Sequence, residues 1–144
     1  MSDTVRAGGA PKPMGAYPHA RRVGDLLFLS GMGPRSPETD EIPGLVLGKN
    51  GEIQEYDMAA QCHAVFANVR SVLEAAGLGW GDLVDVTVFL TDMDRDFVTF
   101  NRIYAEYFSD NQPCRTTVEI NRLPTPIAIE LKCIATTGDH GEPV

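Results

Sequence analysis

The stretch Pro113-Cys114-Arg115-Thr116-Thr117-Val118-Glu119-Ile120-Asn121-Arg122-Leu123-Pro124 is followed, after Thr125-Pro126, by Ile127-Ala128-Ile129-Glu130-Leu131. Two runs rich in β-branched residues lie either side of a Leu-Pro break, which predicts two strands. With a period of two, Arg115, Thr117 and Glu119 share one face of the first strand, and Thr116, Val118 and Ile120 the other. In the second, Ile127, Ile129, Leu131 and Cys133 face one way, and Ala128, Glu130 and Lys132 the other. Each strand carries one charge where burial is expected, Arg115 and Glu130. An arginine can hold a carboxylate through two parallel hydrogen bonds, and a half-buried glutamate can position or activate water. A plain buried ion pair accounts for the same two residues, because buried charges are usually paired.

Upstream, the pattern switches period. Asp57 is a suitable N-cap for a helix running to about Ala76 and closed by Gly77. Met58, Cys62, Val65, Val69, Val72 and Ala76 form its apolar stripe, and His63 falls off it, onto the surface. Val84, Val86, Val88 and Leu90 alternate with Asp85, Thr87 and Phe89 as a strand. A second helix starts at Asp94 or Asp96, with Phe97, Phe100, Ile103, Tyr104, Tyr107 and Phe108 as a core stripe. Leu26-Leu27-Phe28-Leu29, ending in Ser30-Gly31, reads as a buried strand. Residues 35–56, rich in Pro, Gly and charge, read as a long loop or loose hairpin. The order is strands, helix, strand, helix, strands. It implies an α+β domain with both helices on one face of a mixed sheet. The opposite face, expected to carry Arg115 and Glu130, needs a cover that two helices do not supply. Oligomerisation is the simplest one.

The chain has 144 residues, 43% hydrophobic and 22% charged, which suits a single domain with a real core. Residues 1–15 read as a flexible lead-in and 137–144 as a C-terminal tail. Net charge is -8 and the sequence pI about 4.7, which argues against a nucleic-acid or anionic-membrane surface. No apolar run is long enough for a transmembrane helix. Cys62, Cys114 and Cys133 are odd in number and widely spaced, which suits a reducing cytoplasm better than a disulfide framework. Neither they nor His19, His63 and His140 have metal-ligand spacing, and no Gly-rich phosphate loop is present. No metal and no cofactor are therefore expected.

Pro113-Cys114-Arg115, Val118-Glu119-Ile120, Leu123-Pro124 and Ile129-Glu130-Leu131 together resemble the signature of the YjgF family, also called the reactive intermediate deaminase (RidA) family. Tyr17-Pro18, Leu29-Ser30-Gly31, Gln61, Asn68-Val69, Ala75-Ala76-Gly77-Leu78, Val86-Thr87-Val88-Phe89-Leu90, Phe100-Asn101 and Tyr104-Tyr107-Phe108 match in order. The resemblance covers roughly residues 16–136. It implies a chorismate-mutase-like α+β fold, a homotrimer with clefts between subunits, and hydrolysis of enamines and imines to ketones and ammonia without a cofactor. Arg115 matches the family's carboxylate-binding arginine and Glu130 its water-handling glutamate. Tyr17, Ser30, Gly31 and Asn101 match other cleft positions. One departure is Thr117, where the family often has cysteine. Cys114 precedes the arginine and does not replace it, while Thr117 can still give and accept a hydrogen bond.

The long segment 33–47 and Tyr17-Pro18-His19-Ala20-Arg21-Arg22 resemble the branch of the family that contains bacterial 2-aminomuconate deaminase. That branch implies a dicarboxylate enamine substrate from aromatic or tryptophan breakdown, converted to 4-oxalocrotonate and ammonia. A second carboxylate needs another donor, for which His19, Arg21, Arg22 and Arg35 are candidates, each of them also readable as a solvated surface group. Two other readings stay open: a general 2-imino acid deaminase that clears reactive intermediates, and a non-catalytic ligand-sensing or protein-binding trimer.

Overall fold

The computed structural model describes residues 3–138. The chain runs β1 (Thr4–Val5), β2 (Ala20–Val23), β3 (Leu26–Leu29), β4 (Val46–Leu47), β5 (Ile53–Glu55), α1 (Met58–Ala75), β6 (Leu83–Leu90), α2 (Met93–Tyr107), β7 (Cys114–Glu119) and β8 (Ile129–Thr136). Six strands form one sheet in the order β1-β2-β3-β8-β6-β7, while β4 and β5 pair as a separate hairpin within the segment read as a loose hairpin. β8 lies inside the sheet, antiparallel to both β3 and β6. β7 is parallel to β6, and α2 is the crossover such a pair needs.

Local chemistry sets the ends of both helices. The Asp57 carboxylate accepts from the Ala60 amide, and Gly77 takes φ +77° just beyond the C-cap of α1, the left-handed geometry that glycine adopts without strain. α2 begins earlier than Asp94 or Asp96: Asp92 is its cap, accepting from the Arg95 amide at 3.0 Å. Asp96 is instead buried, at 2% exposure, and accepts a hydrogen bond from the Tyr56 hydroxyl. In β6 the register shifts between Leu83 and Asp85. The irregularity puts Leu83 rather than Val84 in the core, beside Val86, Val88 and Leu90. Residues 3–15, expected to be a flexible lead-in, are built into the fold: β1 pairs with β2, and Ala7 and Ala10 are buried. Of the expected tail, residues 139–144 lie outside the described residues.

Both helices pack on one face of the sheet, over Leu27, Val86, Val88, Leu131 and Cys133. The register decides what else lies on that face. Arg115, Thr117 and Glu119 pair with Val86, Val88 and Leu90, so all three point toward α2. Glu119 Oε1 there accepts from the Met93 amide at 2.9 Å, adding a negative charge at a helix N-terminus. Glu130 pairs with Phe89 and Lys132 with Thr87, on the opposite, helix-free face. The expectation that Arg115 and Glu130 share a face is thus corrected. They lie on opposite sides of the sheet, and no ion pair joins them among the described residues. The helix-free face carries half-buried Phe28, Phe89 and Ile134 among Asp85, Glu130 and Lys132.

Two polar side chains buried on α1 reach back to loops. The Asn68 Nδ2 donates to the carbonyls of Gly33 and Arg35 at 2.9 and 2.8 Å, and Gln61 Oε1 accepts from the Ala128 amide at 2.9 Å. They hold the segments that follow Ser30-Gly31 and precede Glu130. Asn68→Ala leaves two carbonyls without their donor. It is expected to cost about 1–3 kcal/mol, read as a lower urea midpoint at an unchanged m-value.

Candidate functional site

The site residues expected from sequence fall into two groups. The first lines a cleft at the edge of the helix-free face and includes Tyr17, His19, Ser30, Gly31, Arg35 and Glu130. An antiparallel bridge between Met32 and Leu131, with N···O distances of 2.8 and 2.9 Å, fixes the backbone after β3 against β8. Gly31 then lies directly against the glutamate. A Cβ there would sit 2.8 Å from Glu130 Oε2, closer than real Cβ atoms come, so no other residue fits without moving the carboxylate. Ser30 donates its hydroxyl proton to the Pro18 carbonyl at 2.7 Å, and the Tyr17 oxygen accepts from the Met14 amide at 3.2 Å. Among the described residues no hydrogen-bond donor or cation reaches the Glu130 carboxylate. Burial alone raises its pKa above the ordinary 4.5, because desolvation penalises the charged form. A half-buried carboxyl of this kind in a cleft is a candidate acid–base group.

Two residues of this group are engaged with protein partners. His19 is buried, its Nδ1 accepts from the Ala7 amide at 2.9 Å, and its Nε2 lies 2.7 Å from the Pro11 carbonyl. A backbone amide can only donate, so Nδ1 is unprotonated and Nε2 carries the proton. Neither nitrogen is free for a substrate carboxylate. Arg35 donates from Nη1 to Asp40 Oδ1 at 2.8 Å and from Nη2 to the Lys12 carbonyl at 2.6 Å, so each of its terminal nitrogens already has one protein partner. Arg21 and Arg22 are exposed on β2 and do not line the cleft.

The second group is Arg115, Asn101 and Thr117, on the helix side of edge strand β7. Arg115 Nη1 donates to Asn101 Oδ1 at 2.9 Å, and its guanidinium carbon lies 4.7 Å from the Tyr104 ring centre and 5.4 Å from that of Phe100. No carboxylate pairs with it among the described residues. The Thr117 hydroxyl and the Tyr104 hydroxyl are both buried without a hydrogen-bond partner. Desolvation pushes Tyr104 up to about 12, so it stays a donor. An unpaired guanidinium with two orphaned hydroxyls in the same cluster suits a small anion. Tyr104 was read from sequence as core. Its helical spacing hides the fact that its hydroxyl is buried without a partner, and its position one turn after Asn101 is the sole sequence signal.

Cys114 is exposed, while Cys62 and Cys133 are buried, with their thiols pushed up to about 12 by desolvation. Among the described residues no helix is long and apolar enough to cross a membrane.

The family described as Endoribonuclease L-PSP matches residues 7–137, and the chain belongs to it; this is the family of YjgF and RidA. The chain is 39% identical over 135 residues to a RutC family protein of Pyrococcus horikoshii, covering 94% of this chain and 98% of the other. It is 36% identical over 138 residues to the 2-iminobutanoate/2-iminopropanoate deaminase of Escherichia coli K12, covering 94% and 98%. Among solved structures, the YjgF gene product of E. coli superposes with a TM-score of 0.81 at 36% identity, over 94% of this chain and 98% of the other. E. coli TdcF with bound serine superposes with 0.80 at 32% identity, over 92% and 97%.

Two outcomes are expected. Arg115→Ala lowers stability by only about 1 kcal/mol or less, the worth of its ring contacts, whereas breaking a buried ion pair costs about 3–5 kcal/mol; thermal melts distinguish these. For Glu130, the raised folded-state pKa means that its protonated form favours the fold. That contribution is present at pH below the unfolded value and lost as pH rises through the folded one. Glu130→Gln therefore melts higher than the parent at neutral pH, and the difference closes below about pH 4.5, the ordinary value.

Proposed function

We propose that this chain is 2-aminomuconate deaminase, hydrolysing a dicarboxylate enamine to 4-oxalocrotonate and ammonia at sites shared between subunits of a homotrimer. At the coarser level, the chain is a hydrolase of the imine and enamine deaminase class of its family. The observation that carries the composite site is the division of its chemistry. The cleft has a partnerless carboxyl but no unpaired guanidinium to hold the carboxylate beside the imine carbon, and β7 has that guanidinium without an acid–base group.

A second copy of the chain would bring the two together. β7 is an edge strand, and the helix-free face is half apolar. Both are features that a partner subunit covers. The substrate's carboxylate would be held bidentately by Arg115, with Thr117 and Tyr104 donating from beside it. After the 2-amino-2-ene acid tautomerises to the 2-imino acid, C2 is electrophilic. Glu130 of the neighbouring subunit takes a proton from water as its oxygen adds to C2, and returns it to nitrogen. In the carbinolamine so formed, Glu130 next carries the hydroxyl proton to the amino group, and as C2–O becomes the ketone's double bond the C–N bond breaks and ammonia leaves. Positioning carries much of the rate, because the substrate is already reactive.

Support for 2-aminomuconate comes from the likeness of segments 17–22 and 33–47 to that branch. A reading as a 2-iminobutanoate- or 2-iminopropanoate-type deaminase is favoured by the identity with the E. coli enzyme of that name. TdcF with bound serine shows a relative holding a small amino acid, which fits either substrate. The family's ribonuclease name finds no support in a net charge of -8, since RNA binding needs clustered cations.

Two measurements check the proposal. Purified protein with freshly generated 2-aminomuconate is expected to release ammonia as the substrate absorbance decays. Arg115→Ala and Glu130→Gln are each expected to be inactive, yet co-refolded in equal amounts they recover roughly a quarter of parental activity, because each mixed trimer rebuilds one intact site. No recovery in verified mixed oligomers rules out the shared site.

A further inference from the structure

Lys12 lines the same cleft as Glu130, Ser30 and Gly31. Its side chain is exposed, and no carboxylate pairs with it among the described residues. Its backbone is unusually constrained for a residue so near the N-terminus. Prolines precede and follow it, and their rings fix φ on either side. The carbonyl of Pro11 receives the buried His19 Nε2, and the carbonyl of Lys12 itself receives Arg35 Nη2. His19 is anchored in turn by the Ala7 amide, and Arg35 by Asp40. The Asn68 bond to the Arg35 carbonyl ties that loop to α1. Two of the four side chains that read from sequence as second-carboxylate donors, His19 and Arg35, therefore hold the backbone that carries Lys12.

We propose that Lys12 is the specificity-determining cation for the distal anionic group of the substrate, so that the cleft selects dicarboxylates over monocarboxylates. The inference rests on the deaminase reading above and names its substrate class. Arg115 and Lys12 would hold the two ends of an extended dicarboxylate, with Glu130 and its water at the imine carbon between them. An ammonium on a flexible four-carbon stem suits this position, because it meets a carboxylate as a point charge and tolerates variation in length. A monocarboxylate leaves Lys12 in water, where it costs nothing, so the selection acts through attraction alone.

The experiment compares kcat/KM for 2-aminomuconate with that for 2-iminopropanoate generated in place, in the parent, Lys12→Ala and Lys12→Arg. The expected result is a parental preference for the dicarboxylate that Lys12→Ala lowers about 10- to 100-fold, the worth of a charged hydrogen bond, mainly through KM. Lys12→Arg keeps most of the preference, and added salt erodes it in the parent more than in Lys12→Ala. An unchanged ratio in Lys12→Ala overturns the assignment. So does a parent that turns over both substrates with no dicarboxylate preference, which leaves the deaminase reading intact. A parent active on neither substrate overturns the deaminase reading and this inference with it.

Discussion

The pleat of β6 is the constraint on which the rest depends. Its inward residues Val86, Val88 and Leu90 bury the core and stand in register with Arg115, Thr117 and Glu119 on one neighbour. Its outward Phe89 stands in register with Glu130 on the other. Because side chains alternate along a strand, a slip of one residue would turn a whole strand inside out. The burial of β6 and β8 against the helices forbids that slip. The guanidinium and the carboxyl are therefore held on opposite faces of one sheet, and no rotamer change can bring them together within a subunit.

That separation gives each half of the site its character. Arg115 lies over aromatic rings with no counter-charge, and Glu130 is half-buried with no donor. Within a single chain both are uncompensated, and each is the kind of group that elsewhere finds a partner. The energetic burden is carried by the interior: α1 commits Gln61 and Asn68, both buried, to fixing the backbone on either side of the cleft. These polar contacts inside an apolar helix face support the backbone that brings Gly31 against Glu130. The bridge from Met32 to Leu131 completes the frame.

The N-terminal segment shows the same economy. A short strand, two buried alanines and one buried histidine turn residues 3–15 into a wall of the cleft. His19, Pro11, Lys12 and Arg35 form one connected chain of contacts, and the loop after Gly33 is its far support. The length of that loop makes sense in this light: Asp40 folds back to hold Arg35, which holds the lysine-bearing strand of backbone in place.

Much was legible in the sequence, because it rests on periodicity and short-range chemistry. The two helices, their caps at Asp57 and Gly77, β3, β6, β7 and β8, and the alternation within each strand follow from residue spacing. So do the α+β class and the singling out of Arg115 and Glu130. What the sequence left open concerns relations between elements. Periodicity fixes which residues of one strand share a face, but not which face of the next strand they match; only the register of β6 with β7 and β8 put Arg115 and Glu130 apart. Likewise a histidine or an arginine near a cleft reads as a donor until its partners are known. The Ala7 amide, the Pro11 carbonyl and Asp40, all brought in by tertiary packing, engage both nitrogens of His19 and one end of Arg35. Lys12, between two prolines in a segment that looked free, acquires its place only from them. Local spacing sets the conformation of each element, whereas pairing register and hydrogen-bond competition are settled by contacts between residues far apart in the chain.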